Sequence, residues 1–272
     1  MNRPDSRITL LFAVSLLGAC ATHDRPRPPA PPPVAPVATP PVPPAPPVPV
    51  TPPALSAPAP VRMGDSIHWF RTAAEYRALT ISAYLAATGA VTAAAQGKPK
   101  DGWAVVLDAD ETVLDNSVFQ RDLVRGGGPF SEEIWATFVR KRSAVPVSGA
   151  QAFLDRVKEL GGRIAIVTNR LSNLCEDTRE NFRLQSLPFD VILCRENTSD
   201  KNPRYQSVAS GAAFADGKPR EVLAFVGDNI QDFPNLKQSL RDEPESAFAD
   251  FGRRFFIMPN PMYGSWQQVP AR

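Results

Sequence analysis

Two aspartates, Asp108 and Asp110, follow directly on the apolar run Trp103-Ala104-Val105-Val106-Leu107. If that run is a strand, carboxylates two residues apart leave its end on the same side of the chain. One can then attack a phosphorus centre while the other carries a proton. Three further segments carry matching chemistry. Val167-Thr168-Asn169-Arg170 offers a hydroxyl and backbone N–H groups for phosphate oxygens. Asp200-Lys201 offers a cation for a phosphate or for the attacking carboxylate. Gly227-Asp228-Asn229-Ile230-Gln231-Asp232 sets two carboxylates four residues apart, a pattern suited to a hard cation such as Mg²⁺, which takes oxygen ligands.

Each segment is weak alone. Aspartate and threonine are common in turns and helix caps, and a lysine in a polar loop is usually solvated. Order and placement give them weight. Asp108, Thr168 and Asp228 each follow an apolar run, and an open α/β sheet binds ligands at the carboxyl ends of its strands.

Composition closes other routes. Of two histidines, His23 lies in a proline-rich stretch, which leaves His68 alone in the domain and excludes metal sites built from several histidines. His68 reads as structural. There is no HExxH, GxxxxGK[ST] or GxSxG, and neither Cys175 nor Cys194 has an arginine six positions on. The formal charge of +2 falls wholly in residues 1–60, so the remaining 212 residues are neutral. A neutral domain lacks the basic face that a nucleic-acid polymer requires.

The elements that must position these groups follow from the apolar patterning. Runs at 103–107, 164–167, 191–194, 222–226 and 255–258 are continuous rather than alternating, as in strands buried on both faces. Helical stretches separate several of them, for example Ala150–Leu160, stopped by Gly161-Gly162. The expected fold is α/β, a doubly wound parallel sheet. An N-terminal helix is expected from Ser66, capped by Asp65, with Ile67, Phe70, Ala74, Ala78, Ile81 and Leu85 as its buried stripe.

The four segments, in this order, resemble the haloacid dehalogenase (HAD) superfamily of phosphohydrolases, and within it the class C non-specific acid phosphatases of the bacterial surface-lipoprotein type. The resemblance runs from about Trp69 to Trp266. It rests on residues 106–117 and 225–233, with Glu75-Tyr76-Arg77-Ala78, Val167-Thr168-Asn169-Arg170 and Phe256-Ile257-Met258-Pro259-Asn260. Ala109, Phe119 and Ile230 depart from the residues usual at their positions, which bears on packing and pocket shape only. The resemblance implies that Asp108 is the nucleophile and forms an aspartyl-phosphate. Asp110 would be general acid and then base, Thr168 would bind a phosphate oxygen, and Lys201 would steady the shared charge. Mg²⁺ would be held by Asp108, Asp228 and the backbone carbonyl of Asp110, with Asp232 acting through its waters. A protonated Asp110 implies an acidic pH optimum.

Fifty-seven residues separate Asp110 from Thr168, room for a small helical cap over roughly 113–147. Trp135 in that stretch and Tyr263 near the C-terminus match aromatics that, in the resembling family, sandwich a nucleotide base. The implied substrates are small phosphomonoesters, above all nucleoside 5′-monophosphates. Asn116, Arg170 and Trp266 are further pocket candidates. Cys175 and Cys194 could pair in an oxidising compartment or stay as buried thiols.

Residues 1–19 form a signal: Arg3 and Arg7, then apolar Ile8 to Leu17, then Gly18-Ala19-Cys20. The apolar run falls short of the roughly 20 residues that span a bilayer. Leu17-Gly18-Ala19-Cys20 resembles a bacterial lipobox, which implies lipidation of Cys20 and attachment to the membrane. Ala21 after it points to the outer membrane. Residues 20–60 hold 18 of the 30 prolines and form a polyproline-rich tether, leaving residues 61–272 as the catalytic domain. Two other readings stay open: a HAD phosphatase or phosphotransferase for sugar phosphates, and a non-catalytic surface-binding lipoprotein.

Overall fold

The computed structural model describes residues 64–270. The signal, Cys20, the tether and His23 lie outside them. In chain order the elements are α1 (Asp65–Thr72), α2 (Ala74–Ala94), β1 (Trp103–Leu107), β2 (Leu114–Asp115), α3 (Ser117–Gly126), α4 (Glu132–Val139), β3 (Val145–Pro146), α5 (Ala150–Glu159), β4 (Arg163–Leu171), α6 (Cys175–Leu184), β5 (Val191–Arg195), α7 (Asn202–Ser210), β6 (Glu221–Gly227) and β7 (Phe255–Ile257).

The five apolar runs are the five strands of one parallel sheet, in the order β5-β4-β1-β6-β7. The expected α/β class is what is seen. Successive strand residues point to opposite faces. Val105, Leu107, Ile164 and Ile166 therefore join Tyr84, Ala87 and Val91 of α2 and Phe153, Leu154 and Val157 of α5 in one core. Ala104, Val106, Ala165 and Val167 join Tyr205 and Val208 of α7 in the other. Helices on both faces explain why the strands read as unbroken apolar runs.

The sheet order reverses between β1 and β6, one strand ending at Leu107 and the other at Gly227. A crevice opens at such a switch point, outside the carboxyl ends of the strands. Asp108 and Asp228 are the residues directly beyond those two ends. A two-stranded antiparallel pairing, Leu114 with Pro146 and Asp115 with Val145, brackets α3 and α4 above it. Ser131 starts α4 by accepting from the Ile134 N–H at 3.2 Å, which places Trp135 in its first turn.

The N-terminal helix differs from expectation. It is two helices, broken at Ala73, whose φ of −74° and ψ of 131° are extended. Gly64 rather than Asp65 occupies the cap position, and Asp65 is the first helical residue. The extended residue resets the helical phase. Tyr76, Thr80, Tyr84, Ala87 and Val91 are the buried face of α2, whereas Ala74, Ala78 and Leu85 are exposed. His68 is exposed on α1. Among the described residues, no helix is long and apolar enough to cross a membrane.

Candidate active site

The site begins where β1 stops. The Asp108 N–H donates to the Val226 carbonyl at 3.0 Å, the last rung toward β6. The chain then folds tightly, with Val113 and Leu114 N–H groups both donating to the Ala109 carbonyl at 3.0 and 2.8 Å. Glu111 takes a left-handed φ of 54° within this turn. The Tyr84 hydroxyl, reaching from α2, donates to the Thr112 carbonyl at 2.7 Å. The loop that presents Asp108 and Asp110 is thus pinned from both sides.

Lys201, buried just before α7, donates to Asp108 Oδ1 at 2.6 Å and to Asp232 Oδ1 at 2.7 Å. The second oxygen of Asp232 accepts from the Asn229 N–H at 2.9 Å. Asp228 accepts from Thr112 Oγ1 at 3.2 Å and from Asn260 Nδ2 at 2.7 Å. Gly227 permits this packing: a Cβ there would sit 2.2 Å from that of Asp232. The segments 108–112, 201 and 227–232, far apart in the chain, meet at one point.

Charge at that point is unbalanced. Burial, with Asp232 and Asp110 against the opposing pull of Lys201, pushes the Asp108 carboxyl up to about 7. Burial, then Asp232 and Asp108, also hold Asp228 well above the ordinary carboxylate range. Burial works against the Lys201 ammonium, yet Asp108 and Asp232 outweigh it, so it stays charged. Oxygens of Asp108, Asp228 and Asp232 all lie within 4.8 Å of one another. Three close carboxylates sharing one ammonium fit a divalent cation held by oxygen.

A pH dependence follows. A carboxyl raised from 3.8 toward 7 keeps its proton longer in the folded state than in the unfolded one. Metal-free stability from this group therefore falls as pH rises across that window. A cation requires the deprotonated carboxylate, so the stabilisation it gives must grow over the same window. Thermal melts at pH 4.5, 5.5 and 7, with EDTA or with excess Mg²⁺, should show a metal-induced rise in Tm that increases with pH. A rise of equal size at all three values would count against the cluster as the metal site.

Asp110 stands beside this centre in a different setting. Arg170 donates to its Oδ1 from Nη2 at 2.8 Å and from Nε at 3.0 Å, and Asn116 Nδ2 adds a third donor at 2.8 Å. The other oxygen, Oδ2, has one long contact, 3.3 Å to Arg170 Nε. Asp110 therefore has one oxygen fixed and one available for proton transfer. Asn116 in turn accepts from Arg170 Nη2 at 3.2 Å, which closes a triangle of Asp110, Arg170 and Asn116.

Thr168 differs from the picture of a residue just past a strand. Strand β4 continues to Leu171, with its pairing to β5 interrupted between Val167 and Leu171. Thr168 is fully buried at this break, its hydroxyl accepting from the Arg170 N–H at 3.1 Å. Its carbonyl accepts from Arg204 Nη1 at 2.5 Å. Arg204 also donates to Asn169 Oδ1 at 2.7 Å and to the Asp200 carbonyl at 3.3 Å. One guanidinium thus straps the Thr168 segment to the Lys201 segment. The pattern gave no sign of it, since an arginine near a helix start reads as solvated.

A cleft of about 650 Å³ opens above these groups. Asp108, Asp110, Arg170, Lys201, Asp228 and Asp232 line its polar floor, and Trp135, Tyr263, Phe119, Phe130 and Met262 line its aromatic and apolar walls. Trp135 packs on Phe119 and Phe138, with the Arg170 guanidinium carbon 5.5 Å from its ring centre. The Tyr263 hydroxyl donates to the buried Glu111 carboxyl, whose other oxygen accepts from the Asn116 N–H. Asn116 and Thr168 are among the expected residues that do not line the cleft, and Trp266 is exposed on the surface. Arg195, Glu132 and Gln231 line it without having been expected.

Cys175 and Cys194 are joined in a disulfide with Cα atoms 5.9 Å apart. It ties the start of α6 to the end of β5.

Residues 55–266 match the family described as HAD superfamily, subfamily IIIB (acid phosphatase). The class C acid phosphatase from Bacillus anthracis has a similar structure, 30% identical, with a TM-score of 0.67 over 75% of this chain and 86% of that one. The same enzyme with tungstate bound matches with a TM-score of 0.66 at equal identity and coverage. With Asp108 and Asp228 at the switch point of such a sheet, the chain belongs to the HAD subfamily IIIB acid phosphatases and is a phosphomonoesterase of the class C type.

Proposed function

We propose that this protein is a Mg²⁺-dependent acid phosphatase that hydrolyses nucleoside 5′-monophosphates through an aspartyl-phosphate. The observation that carries the reading is the convergence of Asp108, Asp228, Asp232 and Lys201 at the floor of an aromatic-walled cleft. The cation would be held by Asp108 and Asp228, with Asp232, already occupied by Lys201 and Asn229, in support. When bound, it neutralises charge between the attacking carboxylate and the phosphoryl oxygens.

The residues divide the work by their contacts. Lys201 holds Asp108 by Oδ1, which leaves Oδ2 to attack phosphorus. The P–O bond to the leaving group breaks as the Asp108–phosphorus bond forms. Asp110 gives its proton from Oδ2 to the leaving oxygen. Water then attacks the phosphorus of the aspartyl-phosphate, Asp110 takes a proton from that water, and Asp108 is released with inorganic phosphate. Lys201 stays near the shared charge in both steps. Binding of tungstate, a tetrahedral oxyanion, by the Bacillus anthracis enzyme supports an equivalent phosphate position in this cleft.

Trp135 and Tyr263 stand on the walls of the same cleft and suit the two faces of a base. Stacking of about 1–3 kcal/mol per base makes the expected change a rise in KM of about tenfold or more. Trp135→Ala and Tyr263→Ala should raise KM for AMP and leave that for p-nitrophenyl phosphate much less affected. Unchanged KM for AMP in both variants would remove the base clamp. The chemistry itself is tested by phosphate release from AMP, nicotinamide mononucleotide, glucose 6-phosphate and p-nitrophenyl phosphate at about pH 5.5, with Mg²⁺ or EDTA.

The location proposed is the bacterial outer membrane, with Cys20 lipidated and residues 21–60 as a tether. The Cys175–Cys194 disulfide supports an oxidising compartment. Labelling with a radioactive fatty acid that persists in Cys20→Ala would overturn the anchor.

A further inference from the structure

Among the described residues, three cations line the cleft: Arg170, Lys201 and Arg195. Two are committed. Lys201 is clasped by Asp108 and Asp232, and Arg170 by Asp110 and Asn116. Arg195 is not bound to the reacting centre. Its Nη2 meets Glu132 Oε1 at 3.0 Å, with side chains 27% and 54% exposed. An ion pair this open is screened by water and is readily exchanged.

Its position is defined by the sheet. Arg195 is the last residue of β5, in register with Leu171 of β4, at the same carboxyl edge that carries Asp108. Leu107 pairs through Ile166 with Ile192, so Asp108 lies one residue beyond that row and Arg195 three; two strand spacings across and two residues along put their backbones roughly 12 Å apart. That separation suits a small molecule with phosphates at both ends. Guanidinium binds phosphate by two parallel hydrogen bonds, more strongly than it holds an exposed carboxylate.

We propose that Arg195 is an anion subsite that selects phosphomonoesters carrying a second phosphate, such as nucleoside or sugar bisphosphates, with Glu132 occupying it until substrate arrives. The inference rests on the cleft being the site of hydrolysis. It does not require the base clamp. Glu132 is the first residue of α4, so the exchange also frees that helix from β5.

The experiment compares kcat/KM for adenosine 3′,5′-bisphosphate with AMP, and for glucose 1,6-bisphosphate with glucose 6-phosphate, at equal ionic strength. Wild type, Arg195→Ala and Glu132→Gln are measured, with p-nitrophenyl phosphate reporting that each is active. Wild type should favour the bisphosphate. Arg195→Ala should cut that preference about tenfold or more, the value of one charge-assisted contact. Glu132→Gln should raise it, because the competing carboxylate is gone. Added salt should erode the preference in wild type and not in Arg195→Ala.

A merely structural latch predicts that both variants move the preference in the same direction, since both break the same ion pair. That result, or an unchanged preference in Arg195→Ala, overturns the proposal. If neither adenosine compound is a substrate while the glucose pair is, the nucleotide reading falls and the glucose pair still decides the subsite. If wild type shows no bisphosphate preference on either pair, the proposal fails while the phosphatase reading stands.

Discussion

Asp108→Asn abolishes turnover, with kcat lower by about 10⁴-fold or more, and leaves the protein folded. The amide has nearly the shape of the carboxylate but no charge with which to attack phosphorus. Its effect on stability runs the other way. Asp108 is held near Asp232 and Asp110 in a buried setting that pushes its carboxyl up to about 7, so ionisation there is opposed by the fold. A neutral side chain relieves that opposition, and the metal-free variant should melt at the same temperature as wild type or higher at pH 7.5. Phosphate release and thermal melts on the same samples check both halves. Turnover within tenfold of wild type would mean that another group attacks, and a lower Tm would mean that the Lys201 contact outweighs the burial cost.

The parts of this site that could be read from the chain are those written in local patterning. Strands β1 and β6 are short apolar runs because both of their faces are covered, and the acidic residue after each run marks the edge where the crevice opens. What could not be read depends on distance or on phase. Alanine is the best helix former, so nothing local marks Ala73 as a break, and an alanine-rich helix carries apolar residues on both its buried and exposed sides. That is why the 3–4 spacing points Ala78 and Leu85 to the core while the structure exposes them. The disulfide closes a separation of 19 residues between the start of α6 and the end of β5, which spacing alone does not specify. Arg204 and Arg195 act through partners 35 to 63 residues away. Thr168 is placed by an interrupted pairing between β4 and β5 that only three-dimensional register reveals.

Lys201→Met removes both function and fold stability, and the two losses separate by pH. Among the described residues the Lys201 ammonium is the cation in contact with both Asp108 and Asp232, at 2.6 and 2.7 Å, and its side chain is 4% exposed. Without it two buried carboxylates face each other. Breaking a buried pair from one side costs about 3–5 kcal/mol, because the remaining charge is left uncompensated. The thioether fills the space, so the loss is electrostatic rather than a cavity. Its sign with pH is therefore fixed. The folded variant keeps a proton on Asp108 at a pH where an unfolded aspartate, near 3.8, has already lost its own. Acidification from pH 7.5 to 5.5 should recover much of the lost Tm, and Mg²⁺ at pH 7.5 should recover part of it through the same carboxylates. Turnover should stay about 10²–10³-fold down under both conditions, because the charge that Lys201 supplies to the transferring phosphoryl group is not restored by protons or by the metal. Melts and kcat at the two pH values, with EDTA or Mg²⁺, separate these effects. A Tm deficit of equal size at pH 5.5 and 7.5 would mean that the carboxylates are not the source of the instability. Recovery of turnover together with stability would mean that Lys201 only holds the cluster in place and does not act on the phosphoryl group.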